Sequence, residues 1–297
     1  MSSKKSISSR RSFVKKLAAT SLVAFTAKSM ETNALFSTIS PGGELKGNIN
    51  HSACRWCYSS IPFEEFCMKA KEIGLKAVDL VGPQDWPVLK KYGLDSSMCN
   101  GAEISIAKGW NDKQYHAILV KNYSEMIPLV AKAGYKNLIC LSGNRNGMDD
   151  ETGLNNCVDG LKQVLGIAEK HNVMLIMELL NSKVDHKDYI CDHTWWGVEL
   201  VKRAGSENLR LLYDIYHMQI MEGDIIRTVT QNIEHIGHFH IAGNPGRNNL
   251  DDTQELNYVG IMRAIAATGY SGYVGHEYTP LGDALQVLRD TYRMIDV

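Results

Sequence analysis

The feature that most constrains the fold is a regular alternation of short apolar runs and longer segments with helical periodicity, which begins near Asn48. Continuous apolar runs are typical of strands buried on both faces, whereas apolar residues three or four positions apart indicate amphipathic helices. The pattern predicts strands at 50–55, 77–81, 96–100, 138–142, 173–179, 209–213, 238–241 and 273–277. It predicts helices at 62–73, 86–92, 112–133, 154–171, 194–204, 224–236, 258–267 and 283–294.

Eight strand–helix pairs in a segment of roughly 250 residues are typical of a (β/α)8 barrel, the TIM barrel. A doubly wound sheet would contain fewer strands, and the glycine-rich dinucleotide fingerprint is missing from the first turn between strand and helix. The sequence shows neither a P-loop nor a linker that would divide the alternation. We therefore predict a single α/β domain, a TIM barrel, over residues 46–297.

The first 45 residues have a different character. Residues 9–16 read Ser-Arg-Arg-Ser-Phe-Val-Lys-Lys and precede a mildly apolar stretch at 17–27. This order resembles a twin-arginine export signal, and the alternative is a basic tail without regular structure. We expect residues 1–45 to be a signal peptide and linker, and the protein to be periplasmic or otherwise exported. The resemblance also implies export in the folded state, so that a metal could be loaded beforehand.

Charge, hydropathy and cysteine content narrow the range of partners. The net charge of −1 gives no electrostatic reason to expect nucleic acid, and no run of about 18 apolar residues predicts a stable membrane span. The seven scattered cysteines do not suggest a disulfide framework, and the Cys54-Arg-Trp-Cys57 motif lacks the second pair of a zinc ribbon. We expect buried thiols, and the pairing of Cys54 with Cys57 stays open. The expected partner is a small hydroxy-keto substrate. The oligomeric state stays open, with a homo-oligomer as one alternative.

Ionisable residues end four consecutive predicted strands, where TIM barrels place their active sites. Strand five ends in Glu178, strand six in Asp214, strand seven in His-Phe-His240 and strand eight in His-Glu277. Three neighbouring carboxylates resist joint ionisation unless a cation is present, and this donor set suits Mn²⁺, Mg²⁺ or Co²⁺. We therefore predict that all four bind one divalent metal ion. For any one carboxylate alone, a salt bridge or a strand-end cap is the alternative.

Other aromatic and histidine residues near these strand ends have less specific assignments. His238 shares a strand face with His240, so we predict that it packs lower in the barrel or orients a metal ligand. His276 faces away from Glu277 by the same alternation and is predicted to be structural. Three aromatic residues either line the substrate pocket or only pack in the core: Trp56, Trp110 and Tyr216.

Four motifs resemble the hydroxypyruvate isomerases, within the xylose-isomerase-like superfamily of sugar isomerases and epimerases. They are Asp-Ile-Tyr-His at 214–217, His-Ile-Ala-Gly-Asn-Pro-Gly-Arg at 240–247, Glu-Leu-Asn-Tyr at 255–258 and Gly-His-Glu-Tyr at 275–278. The resemblance spans about 48–295 and is densest over 209–280. It implies the four metal ligands already named, proton transfer by Glu178 and Glu277, and substrate contacts from His217 and Arg247.

The two substrate contacts have plain alternatives. Arg247 could pair with a substrate carboxylate through two hydrogen bonds, or be a solvated loop residue. His217 could bond a substrate oxygen, or be a satisfied core histidine.

Two features depart from the hydroxypyruvate isomerase pattern, and a third departs from that of the ketose epimerases. Hydroxypyruvate isomerases usually carry Gln at the position of His240, where ketose 3-epimerases have His. Residues 248–255 read Asn-Asn-Leu-Asp-Asp-Thr-Gln-Glu, whereas the family loop commonly reads His-Glu-Pro-Gly-Thr-Gly-Glu. The additional glutamate of the ketose epimerases is Val184 in this chain. These departures leave the substrate open.

The site suits isomerisation of an α-hydroxy carbonyl compound through an enediolate. The first hypothesis is conversion of hydroxypyruvate to 2-hydroxy-3-oxopropanoate (tartronate semialdehyde), and the second is an exported isomerase or epimerase of a sugar or keto-sugar. A metal-dependent phosphodiesterase would need several metals and a basic surface, which the net charge disfavours. A non-catalytic sugar-binding module is disfavoured because both glutamates are present.

Overall fold

The computed structural model describes residues 46–297, which form a closed barrel of eight parallel strands. Each strand pairs with the next one in the chain, and β8 pairs with β1. This confirms the predicted TIM barrel. The predicted signal peptide lies outside the described residues, so export stays a prediction. The strands β1 to β8 are Asn50–Cys54, Ala77–Val81, Asp95–Cys99, Asn137–Cys140, Met174–Glu178, Leu209–Asp214, Ile236–Ile241 and Tyr273–His276.

Helices follow the strands and bury apolar faces against them. The buried positions of the third helix, for example, recur at Leu119, Tyr123, Ile127 and Val130, which is the spacing of one helical face. The helices α1 to α9 are Phe63–Ile73, Trp86–Tyr92, His116–Ala133, Asp150–His171, Thr194–Ala204, Ile215–Met221, Ile225–Asn232, Tyr258–Ala267 and Ala284–Ile295.

Four helices differ from the sequence-based prediction. Helix α3 begins at His116 rather than at 112, because Asp112 caps a turn of tighter helix, Lys113–Tyr115, that precedes it. Helix α4 begins at Asp150 rather than at 154, because the Asp149 carboxylate accepts the backbone N–H of Thr152 at 2.9 Å and caps the helix four residues earlier. Helix α6 was not predicted; it starts directly after Asp214, whose side chain caps it. Helix α7 ends at Asn232 instead of 236, and one turn of tighter helix follows.

The described residues also include the cysteines and the helices that could be compared with a membrane span. Within residues 46–297 all seven cysteines are free thiols, and all are buried except the half-buried Cys57. Over these residues, no helix combines the length and the apolar character that a membrane crossing requires.

Two glycines of α4 differ in what surrounds them, and this difference can be tested. A Cβ at Gly160 would lie 2.6 Å from the Trp110 ring and 2.8 Å from His116 Nε2, whereas a Cβ at Gly166 would contact nothing within 4 Å. We expect Gly160→Ala to lower the free energy of unfolding by about 1–3 kcal/mol through overpacking against rigid rings. Gly166→Ala should raise it by about 0.5–1 kcal/mol through helix propensity. Urea unfolding followed by circular dichroism measures both, and equal effects would contradict the packing described.

Candidate active site

The four residues predicted to bind a metal meet at the carboxyl ends of β5 to β8. Glu178 and Asp214 are the last residues of β5 and β6, His240 is next to last in β7, and Glu277 follows β8. Asp214 and His240 are direct partners in the pairing of their strands. One ligand atom from each residue lies within 4.8 Å of the others, and all four side chains are buried. This cluster can enclose a single small cation.

The imidazole of His240 provides a test of whether a metal fits. Its Nδ1 is 3.0 Å from Glu277 Oε2 and 3.5 Å from Glu178 Oε1. Neither contact has hydrogen-bond geometry, so this buried nitrogen has no hydrogen-bond partner within residues 46–297. Buried polar atoms are seldom left unpaired. A ring nitrogen that faces carboxylate oxygens at these distances without a hydrogen bond fits a site for a shared divalent cation of the Mn²⁺, Mg²⁺ or Co²⁺ type.

The protein's own charges do not fully neutralise the cluster. Burial raises the pKa of Asp214 to about 8, and the charge of Glu277 adds to the shift. Burial also raises the pKa of Glu178. For Glu277, the nearby His240 and Arg247 outweigh burial and hold the pKa well below its usual range. Without further positive charge, the three carboxylates therefore cannot all ionise at neutral pH.

A buried carboxylate that the sequence reasoning missed lies behind His240. Asp79 stands in the middle of β2, and its Oδ2 accepts a hydrogen bond from His238 Nε2 at 2.6 Å and lies 3.5 Å from His240 Nε2. Two serine hydroxyls donate to the same oxygen, those of Ser52 at 3.1 Å and Ser97 at 3.0 Å. One acidic residue inside the apolar strand Ala-Val-Asp-Leu-Val was the signal that could have revealed it.

The Asp79 contact turns His240 towards the cluster. With Nε2 facing Asp79, the opposite nitrogen, Nδ1, faces the three carboxylates. Gly275 on β8 leaves the room that this requires, since a Cβ there would lie 2.6 Å from Asp79 Oδ2 and 2.8 Å from His240 Cδ2. His238 lies deeper in the barrel and contacts Asp79, while His276 is buried with Nε2 at 3.1 Å from His51 Nδ1.

Arg247 and Trp56 both hold the carboxylate of Glu277. Arg247 donates from Nη2 to Oε2 at 2.7 Å, and Trp56 donates from Nε1 to Oε1 at 2.9 Å. The guanidinium lies 5.3 Å from the Trp56 ring and 5.6 Å from that of Tyr216. Its Nε is buried without a hydrogen-bond partner in the described part of the chain. Arg247 is therefore part of the site rather than a solvated loop residue.

His217 also contacts the cluster, from the first turn of α6. Its backbone N–H donates to Asp214 Oδ1 at 3.2 Å, and its ring Nε2 lies 3.6 Å from Asp214 Oδ2. The residue is fully buried, and burial lowers its pKa well below the usual value, so the ring is neutral. Asp214 thus serves two purposes, since one oxygen caps α6 while the other faces the site.

A cavity of about 250 Å³ opens beside the cluster. Glu178 and Glu277 border it on one side, and Arg247 and Trp56 also line it. For Trp110 the sequence left open whether it lines a pocket or packs in the core. The side chain is fully buried in the core and packs against Tyr123. The opposite wall comes from β2 to β4 and the loops that follow them, with Leu80, Asn100, Glu103, Ile106, Ile139 and Leu141.

The family described as xylose isomerase-like TIM barrel matches residues 69–295. The chain therefore belongs to that family. This confirms the class of protein predicted from the sequence motifs.

Individual relatives are similar along most of their length. Over 238 residues, 76% of this chain, it is 29% identical to the hydroxypyruvate isomerase of Escherichia coli, of which it covers 92%. It is 24% identical to the 2-oxo-tetronate isomerase of Pectobacterium atrosepticum, again over 76% of this chain and over 89% of the relative. These relationships agree with the predicted class of enzyme, an isomerase.

Solved structures confirm the fold. The crystal structure of AP endonuclease, family 2, from Brucella melitensis superposes with a TM-score of 0.73 at 24% identity. The alignment covers 81% of this chain and 97% of that one. At this identity the likeness concerns the fold alone.

The cluster geometry leads to a binding experiment. Titration calorimetry with Mn²⁺ should show one site per chain, and His240→Ala should weaken the affinity by at least about 10-fold because one of four donors is lost. His171→Ala serves as the control, because His171 is the last residue of α4 and belongs to none of the strands that carry the cluster. Equal affinity of His240→Ala and the unaltered protein would remove His240 from the metal site.

Proposed function

We propose that this protein is a divalent-metal-dependent isomerase, which moves a proton between adjacent carbons of a small α-hydroxy carbonyl compound through an enediolate. The observation that carries the proposal is the convergence of Glu178, Asp214, His240 and Glu277 within 4.8 Å beside a cavity. Two of these residues are glutamates that border the cavity, so a substrate placed there would contact both a metal-binding cluster and two acid–base groups.

The proposed metal, when bound, polarises the carbonyl and hydroxyl oxygens of the substrate and makes the carbon-bound proton more acidic. Asp214 and His240 are proposed to hold it without taking part in proton transfer. Asp214 caps α6 with one oxygen, and His240 contacts Asp79 on its far side, so neither side chain is free to move. Such constraint suits residues that only bind.

Glu178 and Glu277 are proposed to transfer the proton. Both carboxylate oxygens of Glu277 already accept hydrogen bonds, from Trp56 and Arg247, which keep this group ionised and fixed in orientation. Glu178 borders the same cavity, and burial raises its pKa. Two carboxyl groups whose surroundings push their pKa values apart are suited to act as acid and base across one substrate. One removes the carbon-bound proton, and the other, or the same one, returns a proton to the neighbouring carbon.

His217 and Arg247 are proposed to bind substrate oxygens. The ring Nε2 of His217 and the Nε of Arg247 are buried and lack hydrogen-bond partners among the described residues. Both side chains lie next to Asp214 or Glu277, where the reacting oxygens would be placed. A hydrogen bond from each would stabilise the negative charge that develops on the enediolate.

Hydroxypyruvate is the first candidate substrate, with 2-hydroxy-3-oxopropanoate as its product. Support comes from the sequence motifs at 214–217 and 240–247 and from the similarity to the hydroxypyruvate isomerase of Escherichia coli, which this chain covers over 92% of its length. A keto-acid substrate would also give Arg247 a carboxylate to bind.

A keto-sugar is the second candidate, for isomerisation or epimerisation. It is favoured by His240, since the hydroxypyruvate isomerases that the chain resembles usually carry Gln there, and by the export signal expected at residues 1–45. A phosphodiesterase is less favoured, because the three possible metal-binding groups found in the described residues all share His240 and so suit one ion. A purely sugar-binding role would leave the two glutamates without use.

Proton transfer can be measured without knowing the physiological substrate. In deuterated water with Mn²⁺ or Mg²⁺, the purified protein should exchange the carbon-bound proton of its substrate, followed by nuclear magnetic resonance. Glu178→Gln and Glu277→Gln should each reduce turnover by at least about 100-fold while the melting temperature is retained. Glu125→Gln, an exposed glutamate of α3, is the matched control. Full activity of Glu277→Gln would contradict its assigned role.

A substrate panel separates the two candidates. We expect hydroxypyruvate to give the highest kcat/KM when compared with 2-oxo-tetronate and with neutral ketoses under identical metal conditions. A neutral ketose that is turned over faster than either acid would favour the second candidate. Absence of exchange with every hydroxy-carbonyl compound would contradict proton transfer itself.

A further inference from the structure

We infer that Asn181 is a positioning residue, which fixes the tautomer of His217 so that its Nε2–H is available to a substrate oxygen. The inference rests on the proposed function, in which His217 binds substrate. It starts from a buried amide in the loop after β5, three residues beyond Glu178, with no exposed surface.

The backbone determines which way this amide faces. The Asn181 side-chain oxygen accepts the backbone N–H of Val184 at 3.0 Å and that of Asp185 at 2.9 Å. An amide nitrogen in that position would place donors against donors. The oxygen is therefore fixed on the loop side, and the NH₂ group must face the opposite way.

Both hydrogens of that NH₂ group have acceptors. The Asn181 nitrogen is 2.7 Å from Asp185 Oδ2 and 2.6 Å from Nδ1 of His217. An amide nitrogen only donates, so Nδ1 of His217 accepts. In a neutral imidazole the proton then resides on Nε2.

The protonated nitrogen faces the active site. His217 Nε2 is buried, lies 3.6 Å from Asp214 Oδ2 and has no hydrogen-bond partner within residues 46–297. With the proton there, His217 presents a donor beside the cluster. With the opposite tautomer, a lone pair would face the developing oxyanion and repel it. Asn181 thus determines whether His217 assists the reaction, although it does not touch the substrate itself.

Three variants separate this tautomer effect from a merely structural one. Asn181→Asp replaces the hydrogen-bond donor to His217 by an acceptor of the same shape. A hydrogen bond to this acceptor requires the proton of His217 on Nδ1. The substitution also places two carboxylates together, at 181 and 185. Asp185→Asn alone retains Asn181. The double variant Asn181→Asp/Asp185→Asn restores a hydrogen bond between the two side chains and still presents a carboxylate to His217.

Two measurements apply to each variant, in the full chain loaded with Mg²⁺. Nitrogen-15 spectra of histidine-labelled protein, with the His217 signals assigned by a His217→Gln variant, report which ring nitrogen carries the proton. Steady-state kinetics report kcat and KM separately.

We expect the Nε2–H tautomer in the unaltered protein and in Asp185→Asn, and the Nδ1–H tautomer in both variants that carry Asn181→Asp. These two should lose about 100-fold or more in kcat, with little change in KM, as for removal of one oxyanion donor. Recovery of kcat in the double variant, or the Nε2–H tautomer in it, would overturn the inference. Because the spectra need no substrate, failure of the proposed isomerase activity would be recognised separately.

Discussion

Repulsion among three buried carboxylates is the constraint on which the rest of the site depends. Glu178, Asp214 and Glu277 are all less than a tenth exposed, and each would raise the cost of ionising the others. Arg247 and His240 offset enough of this to keep Glu277 ionised, but not enough for Asp214, whose pKa rises to about 8. A divalent cation would remove the remaining penalty, so the electrostatics of the carboxylates and the proposed chemistry lead to the same requirement.

The barrel meets this constraint with rigid supports from distant strands. Asp79 on β2 faces the far side of His240 on β7, and Gly275 on β8 leaves the space between them. Asp214 is held by capping α6. The side chains of Asp214, His240 and Glu277 are each held by such a contact, which keeps these charged groups close together. Such outer contacts commonly orient metal ligands in proteins.

The sequence allowed the barrel and the cluster to be predicted because both leave local marks. Glu178 and Asp214 stand where an apolar run ends, and the strand–helix alternation determines which ends share a rim. Asp79 is marked only as the one acidic residue of an apolar strand. Neither its contact nor that of Asn181 can be predicted locally, because their histidine partners are 159 and 36 residues away in the chain. The sequence does not predict helix α6 for a related reason. The helix has only seven residues, and its cap, Asp214, matches the pattern of a strand-end metal ligand equally well.

Under the proposed function, the two halves of the barrel have different roles, one in the chemistry and one in selection of the substrate. The four candidate metal ligands all come from the ends of β5 to β8, whereas Asn100, Glu103 and Ile106 of the opposite cavity wall lie in the loop that follows β3. The family motifs are densest over 209–280, within the half that carries the candidate metal ligands. Substitutions in the first half can therefore change which molecule fits while the proton-transfer cluster stays the same. The motifs would then define the reaction class more sharply than the substrate. Glu103, which lines the cavity from the first half, would disfavour an acidic substrate relative to a neutral sugar by repulsion between like charges.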